Sequence, residues 1–96
     1  MSVKTRPFDP AAYLDSEEAI AAYLNEVLLS NDPGFIADAL GVVARARGMA
    51  AVARDAGLSR ETLYRTLGQD GNPELSTLLR VLGVLGLRLS VRPAEG

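Results

Sequence analysis

The segment from residue 49 to 67 carries the side chains with the most informative chemistry. Its second half presents Arg60, Glu61, Tyr64 and Arg65 within six positions. An arginine can pair with guanine through two hydrogen bonds, a glutamate can accept from the amino group of cytosine, and a tyrosine can contact a thymine methyl group or a phosphate. These residue types are suited to meeting the edges and the backbone of a nucleic-acid duplex.

The same segment meets the requirements of two helices that cross at a steep angle over a short turn. A small residue, Ala53, stands where the second helix must approach the first closely. Gly57 can leave the first helix with a positive φ angle. Ser59 can cap the second helix, and Leu63 can point from it into the core. The spacing therefore predicts a helix-turn-helix motif over residues 49–67.

In such a motif the second helix enters the major groove with its N-terminal end, while neighbouring cations contact phosphates. The expected DNA contacts are Ser59, Arg60, Glu61, Thr62, Tyr64 and Arg65, with Arg47 and Arg54 on the phosphate backbone. An ordinary pair of antiparallel helices with solvated arginines is the competing interpretation.

Composition argues against catalysis and against metal binding. The chain has no cysteine and no histidine, which removes thiolate nucleophiles, the commonest general base and the commonest metal ligand. Glu17 and Glu18 are adjacent and diverge on a helix, so they do not form a convergent carboxylate pair. We expect no enzymatic activity, no metal and no cofactor.

The two parts of the chain carry opposite charge. Residues 1–40 hold two basic and seven acidic side chains, for a net charge of −5, whereas residues 41–96 hold eight arginines and five acidic side chains, for +3. This asymmetry indicates two surfaces for two partners, although uneven charge also arises by chance in helical proteins. The overall charge of −2 does not exclude DNA binding, because the local patch determines counterion release.

Capping signals and apolar spacing predict five helices in total. Asp15 is expected to cap the first helix, with Glu18 completing a capping box. Asp32, which precedes a proline, marks the second start, and Asn72 repeats the same signal for the fifth helix. The third and fourth helices are those of the predicted motif.

Residues 87–92 alternate apolar and polar side chains, which predicts one half-exposed β-strand. A strand needs a partner for its hydrogen bonds, and the sequence offers no second strand, so we expect the same strand of a second subunit to pair with it. The expected dimer contacts are Leu82, Leu85, Leu87, Leu89 and Val91.

The expected fold is thus all-α: a five-helix, lambda-repressor-like helix-turn-helix domain over residues 15–92 with a short C-terminal β-strand. An N-terminal arm over residues 1–14 precedes it, and a tail over residues 93–96 follows. The N-terminus lacks the apolar segment of a signal peptide, and no run of residues is long enough to span a membrane, so we expect a cytoplasmic protein.

Several motifs outside the helix-turn-helix make the chain resemble a known family. They are residues 8–10 with Tyr13 and Leu14, residues 20–25, 44–49, 57–64, 71–73 and 85–89, which together span roughly residues 6–91. In these the chain resembles the addiction-module antidote proteins, which are HigA-like antitoxins with an Xre-type helix-turn-helix domain. The helix-turn-helix part is shared by many repressors, whereas the arm and the motifs over 44–49 and 71–73 are more specific.

The resemblance implies a RelE-like toxin that cleaves mRNA, neutralised by direct binding, and repression of the shared operon. The acidic first half would then face a basic toxin, with expected contacts from Phe8, Asp9, Tyr13, Leu14 and Glu17. The apolar arm residues have the alternative of packing on the protein's own core. The rival functions are a stand-alone regulator without a toxin, and a structural homodimer formed through the Leu75–Leu85 stripe and the strand over residues 87–92.

Overall fold

The structure is a computed structural model, and it describes residues 14–94. Five α-helices make up its regular structure in this range: α1 (Glu17–Leu28), α2 (Pro33–Arg47), α3 (Met49–Ala56), α4 (Arg60–Thr66) and α5 (Leu75–Val84). The expectation of an all-α domain with five helices is confirmed. The predicted contacts Phe8, Asp9 and Tyr13 lie outside the described residues.

The prediction of a C-terminal β-strand was wrong, because residues 87–94 form no strand. The backbone N–H of Leu87, the first residue of that segment, donates to the carbonyl of Leu82 at 2.8 Å, and Gly86 has a φ of 78°. These are features of a Schellman motif, in which the residue after a left-handed glycine closes the preceding helix. Leu87 is partly buried against the core, so its apolar character serves the end of α5 rather than a sheet.

Three of the five helices, α1, α2 and α4, begin at a side-chain cap, and the cap of α1 is not the expected residue. Ser16, not Asp15, caps α1, and its hydroxyl accepts a hydrogen bond from the N–H of Ala19 at 3.1 Å. Asp32 caps α2 as expected, accepting from the N–H of Gly34 at 3.0 Å. Each cap satisfies a backbone donor that the first helical turn leaves free.

The expected start of α5 at Asn72 was also wrong. This helix begins at Leu75, with Glu74 at the N-cap position and no side-chain hydrogen bond to the cap. A compact turn over residues 68–71 precedes it, closed by a 2.8 Å hydrogen bond from the N–H of Gly71 to the carbonyl of Gly68. Residues 72 and 73 serve the connection between α4 and α5 instead of the helix itself.

Helix α3 lies at the centre of the packing. It contacts α2, α4 and α5, while α1 packs on α2. No buried side chain in residues 14–94 is polar or charged, so the hydrophobic effect is the main source of stability for this core. The largest fully buried side chains are Val43, Val52, Leu63, Leu67, Val81 and Leu85.

The longest of the five helices, α2, has 15 residues. None of the helices described here is long and apolar enough to cross a membrane.

A buried glycine in α2 allows the segment after α4 to approach closely. A β-carbon built at Gly41 collides with the backbone carbonyl of Leu67. Leu67 is only 2% exposed, so this contact forms part of the wall that holds the end of α4 against the core. A backbone atom cannot move aside as a flexible side chain can, and even one added methyl group therefore causes strain.

Substituting Gly41→Ala should destabilise the fold by about 1–3 kcal/mol, because the overpacking outweighs the gain in helix propensity. Gly83→Ala in α5 is the matched control, since a β-carbon there has no neighbour within 4 Å. That variant should gain about 0.5–1 kcal/mol. Urea unfolding followed by circular dichroism measures both. A Gly41→Ala protein as stable as the wild type would contradict the close approach.

Candidate nucleic-acid interface

The turn between α3 and α4 sets the direction in which α4 leaves the core. Gly57 has φ 73° and ψ 32°, in the left-handed region that favours glycine. The N–H of Leu58 donates to the carbonyl of Ala53 at 2.8 Å, which closes α3 by a Schellman motif. Leu58 packs against the core. The turn is therefore fixed both by the hydrogen bond that ends α3 and by the apolar contact of the Leu58 side chain.

The Ser59 side chain fixes the first turn of α4 through two hydrogen bonds to Thr62. The Ser59 hydroxyl accepts from the N–H of Thr62 at 3.0 Å and donates to the Thr62 hydroxyl at 2.9 Å. Both residues are predicted DNA contacts, and both use part of their hydrogen-bonding capacity for the cap. The hydroxyl proton of Thr62 remains available to an acceptor outside the protein.

Helix α4 has one buried and one exposed face. Leu63 is fully buried, whereas Arg60, Glu61, Tyr64 and Arg65 are exposed. The Arg60 guanidinium lies over the Tyr64 ring, 5.8 Å from its centroid, which is cation–π geometry one helical turn apart. The predicted base-reading residues are thus brought together on the side of α4 that faces away from the core.

Arg54 lies in the last turn of α3, the first helix of the motif, and is exposed to solvent. Its Nε donates to the carboxylate of Asp55 at 3.1 Å, and both side chains are mostly exposed. An exposed ion pair of this kind contributes little free energy. Its guanidinium has further N–H donors, so a phosphate can bind without a large cost for breaking the pair.

Arg47 lies elsewhere. Its guanidinium donates to the carbonyl of Val84 at the end of α5, at 3.4 Å. The same side chain lines a hollow with residues 14–17, at the start of α1. Arg47 thus reaches towards the end of α5 and the start of α1, so the structure does not group it with the exposed face of α4.

The predicted toxin contacts divide between core and surface. Leu14 is only 8% exposed and belongs to the hydrophobic core, which agrees with the alternative that the arm's apolar residues pack on the protein itself. Glu17 is exposed in the first turn of α1, with its carboxylate beside Gly86. Phe8, Asp9 and Tyr13 precede the described residues.

Part of the predicted dimer surface is buried within a single chain. Leu85 is fully buried and Leu82 is 6% exposed, so neither offers much surface to a second subunit. Leu87 is partly buried, and Leu89 and Val91 are exposed.

The contact between α1 and α2 contains one perturbed phenol, which sequence reasoning did not identify. Burial raises the pKa of Tyr23, the Asp38 carboxylate raises this pKa further, and the Arg45 guanidinium lowers it. The phenol therefore stays protonated at neutral pH. Over residues 14–94 no three acidic side chains converge on a possible metal position.

Sequence comparison places these features in a family. A family described as "Probable addiction module antidote protein" matches residues 4–93. An uncharacterized protein from Haemophilus influenzae is 46% identical over 95 residues, with 99% of this chain and 98% of that protein covered. No solved structure matches the chain. Because the match extends over both the arm and the helical domain, the chain belongs to the probable addiction module antidote proteins.

Proposed function

We propose that this antidote protein binds the operator of its own operon through α4 and neutralises a RelE-like, mRNA-cleaving toxin. Membership of the antidote family implies a toxin partner. The finer assignment to HigA-like antitoxins of the Xre type stays a prediction. The observation that carries DNA binding is the exposed face of α4, held outward by a turn that closes α3 at Gly57.

The chemistry of this face suits the major groove. Arg60 presents planar donors that match the two acceptors of guanine, and its guanidinium lies over the ring of Tyr64. Glu61 can accept from cytosine. Arg65, at the last turn of α4, is placed to contact a phosphate, which positions the protein without reading sequence.

A single short helix reads few base pairs, so binding by one subunit is weak. We propose that two copies bind as a dimer to two half-sites about 34 Å apart, one helical turn of DNA. The low net charge is consistent with this arrangement, because affinity then comes from doubled contacts rather than from a strongly basic surface.

The toxin-binding proposal rests on charge. The start of α1 presents Glu17 and Glu18, both exposed, and no basic residue lies in its last turn. Nuclease toxins of the RelE-like class are usually basic, and an acidic surface steers such a partner and fixes its orientation. The partner binds to the acidic half of the antidote and leaves the exposed face of α4 to DNA.

Replacing Arg60→Ala should weaken binding to the operator by about 1–3 kcal/mol and relax specificity at one base position, because a two-hydrogen-bond contact to guanine is lost. Arg65→Ala should weaken binding equally on all sequences and reduce its salt dependence by about one charge. Fluorescence anisotropy with the DNA upstream of the operon and with a scrambled duplex measures both effects.

Arg80→Ala is the matched control for these variants, since Arg80 is an exposed arginine of α5 and lies outside the motif. Its loss should leave operator binding nearly unchanged. An equal loss of affinity from Arg60→Ala and Arg80→Ala would show that α4 has no special role.

The double variant Glu17→Lys, Glu18→Lys should weaken toxin binding at least tenfold and make the remaining affinity less sensitive to salt, because attraction is replaced by repulsion. Glu74→Lys, which changes an exposed acid at the start of α5, is the control. Calorimetric titration with the toxin that we expect to be encoded beside this gene gives the affinities, and an mRNA-cleavage assay gives neutralisation. Full neutralisation by the double variant would place the toxin elsewhere.

A further inference from the structure

One side of the helix pair α1 and α2 carries an aromatic ring that the core leaves uncovered. Phe35, in the first turn of α2, is 48% exposed. At helical spacing it shares a side of α2 with Asp38 and Val42, one and two turns further on. Val42 is partly buried against the core. With Tyr23 and Glu26 of α1, these residues form a surface that we call the α1–α2 face.

The first helix supplies the other half of this face. Tyr23 packs against the core, and its phenol lies near the Asp38 carboxylate and the Arg45 guanidinium of α2. Glu26, one turn further along α1, is exposed. Residues 29–32 alone connect α1 to α2, so the end of α1 that carries Glu26 lies beside the start of α2 that carries Phe35. The exposed ring therefore has an acidic neighbour.

Acidic side chains outnumber basic ones along these two helices. The charged residues of α1 are all glutamates: Glu17, Glu18 and Glu26. Helix α2 adds Asp38 and two arginines, of which Arg47 is turned towards the end of α5. Arg45 is thus the cation that remains beside the α1–α2 face. The excess of acid favours a partner with a basic surface.

The α1–α2 face is continuous with the start of α1. Ala46 lies one turn beyond Val42 on α2, and it lines a hollow together with Glu17 and Ile20. Glu17 is one of the two acids already proposed to contact the toxin. A partner bound at the start of α1 can therefore extend along both helices as far as Phe35.

We infer that the toxin binds across the α1–α2 face, with Phe35 inserted into an apolar pocket of the toxin and with Glu26 and Asp38 paired to basic side chains around that pocket. This inference rests on the proposed neutralisation of a toxin and names the surface that it uses. A central aromatic side chain within a polar rim is typical of the few residues that supply most of the free energy of binding.

Charge favours this face over the other apolar surface of the domain. A groove between α1, α5 and residues 87–90 also exposes leucines, but its lining contains no aspartate or glutamate and includes Arg88. A basic partner would bring positive charge against Arg88 with no acid to offset it. The α1–α2 face shares no residue with that groove, and none of its residues belongs to α3 or α4.

The test compares two single variants of the full chain. Phe35→Ala should weaken toxin binding at least tenfold and leave its salt dependence unchanged, because the lost contact is apolar. Glu26→Lys should weaken it by a similar factor and lower its salt dependence, because attraction becomes repulsion. Calorimetric titration at two salt concentrations, with the toxin that we expect to be encoded beside this gene, measures both effects.

Each variant has a matched control outside the face. Leu75→Ala truncates an exposed apolar side chain in the first turn of α5, as Phe35→Ala does in α2, and it should leave toxin binding unchanged. Glu74→Lys reverses an exposed acid and should also bind as the wild type does. All four variants should keep the wild-type circular dichroism, since each changes an exposed position. If Phe35→Ala lost helix content, Glu26→Lys would decide the outcome.

The outcomes separate this inference from the proposed function. Wild-type affinity in both Phe35→Ala and Glu26→Lys, with binding lost only when Glu17 and Glu18 are changed, would confine the toxin to the start of α1 and overturn the inference. Losses as large in Leu75→Ala as in Phe35→Ala would overturn it too. A wild-type chain that binds no toxin would overturn the proposed neutralisation, and the inference with it. Operator binding by both face variants should equal that of the wild type.

Discussion

The hydrogen bond from the N–H of Leu58 to the carbonyl of Ala53 is the interaction on which the account of this molecule depends. It ends α3 at a left-handed glycine and starts the chain in a new direction within three residues. Leu63 then buries its side chain, which leaves the arginines of α4 on the opposite side. A different turn would change the direction of α4 relative to the core, and its polar face would then not be positioned to contact DNA.

Local signals made this part of the fold predictable from sequence. Ala53, Gly57, Ser59 and Leu63 each meet a requirement of the crossing, and the structure places all of them as expected. The prediction of a strand over residues 87–92 was wrong, because it rested on alternation alone and not on several local requirements. Alternation of apolar and polar residues does not by itself show that a ladder forms. Here Leu87 serves the end of α5, Leu89 and Val91 are exposed, and no ladder forms within the described chain.

Contacts between distant segments were beyond the reach of sequence patterns. Gly41 had no local signal, because its role is to admit the carbonyl of Leu67 from another part of the chain. Arg47 was grouped with the DNA contacts because it is basic and close in sequence to α3, yet its guanidinium reaches Val84. The leucines of α5 showed a core stripe, but periodicity alone did not divide them into buried and exposed members.

We propose that the outward face of α4 binds DNA. The most direct test of this proposal is an amide chemical-shift titration of the isotope-labelled full chain with the duplex upstream of its operon. We expect the largest shifts on residues 57–66 and smaller ones near Arg54. A scrambled duplex at the same salt concentration should give weaker and less localised changes. Shifts confined to α1 and α5, with α4 unchanged at saturating duplex, would contradict the proposal.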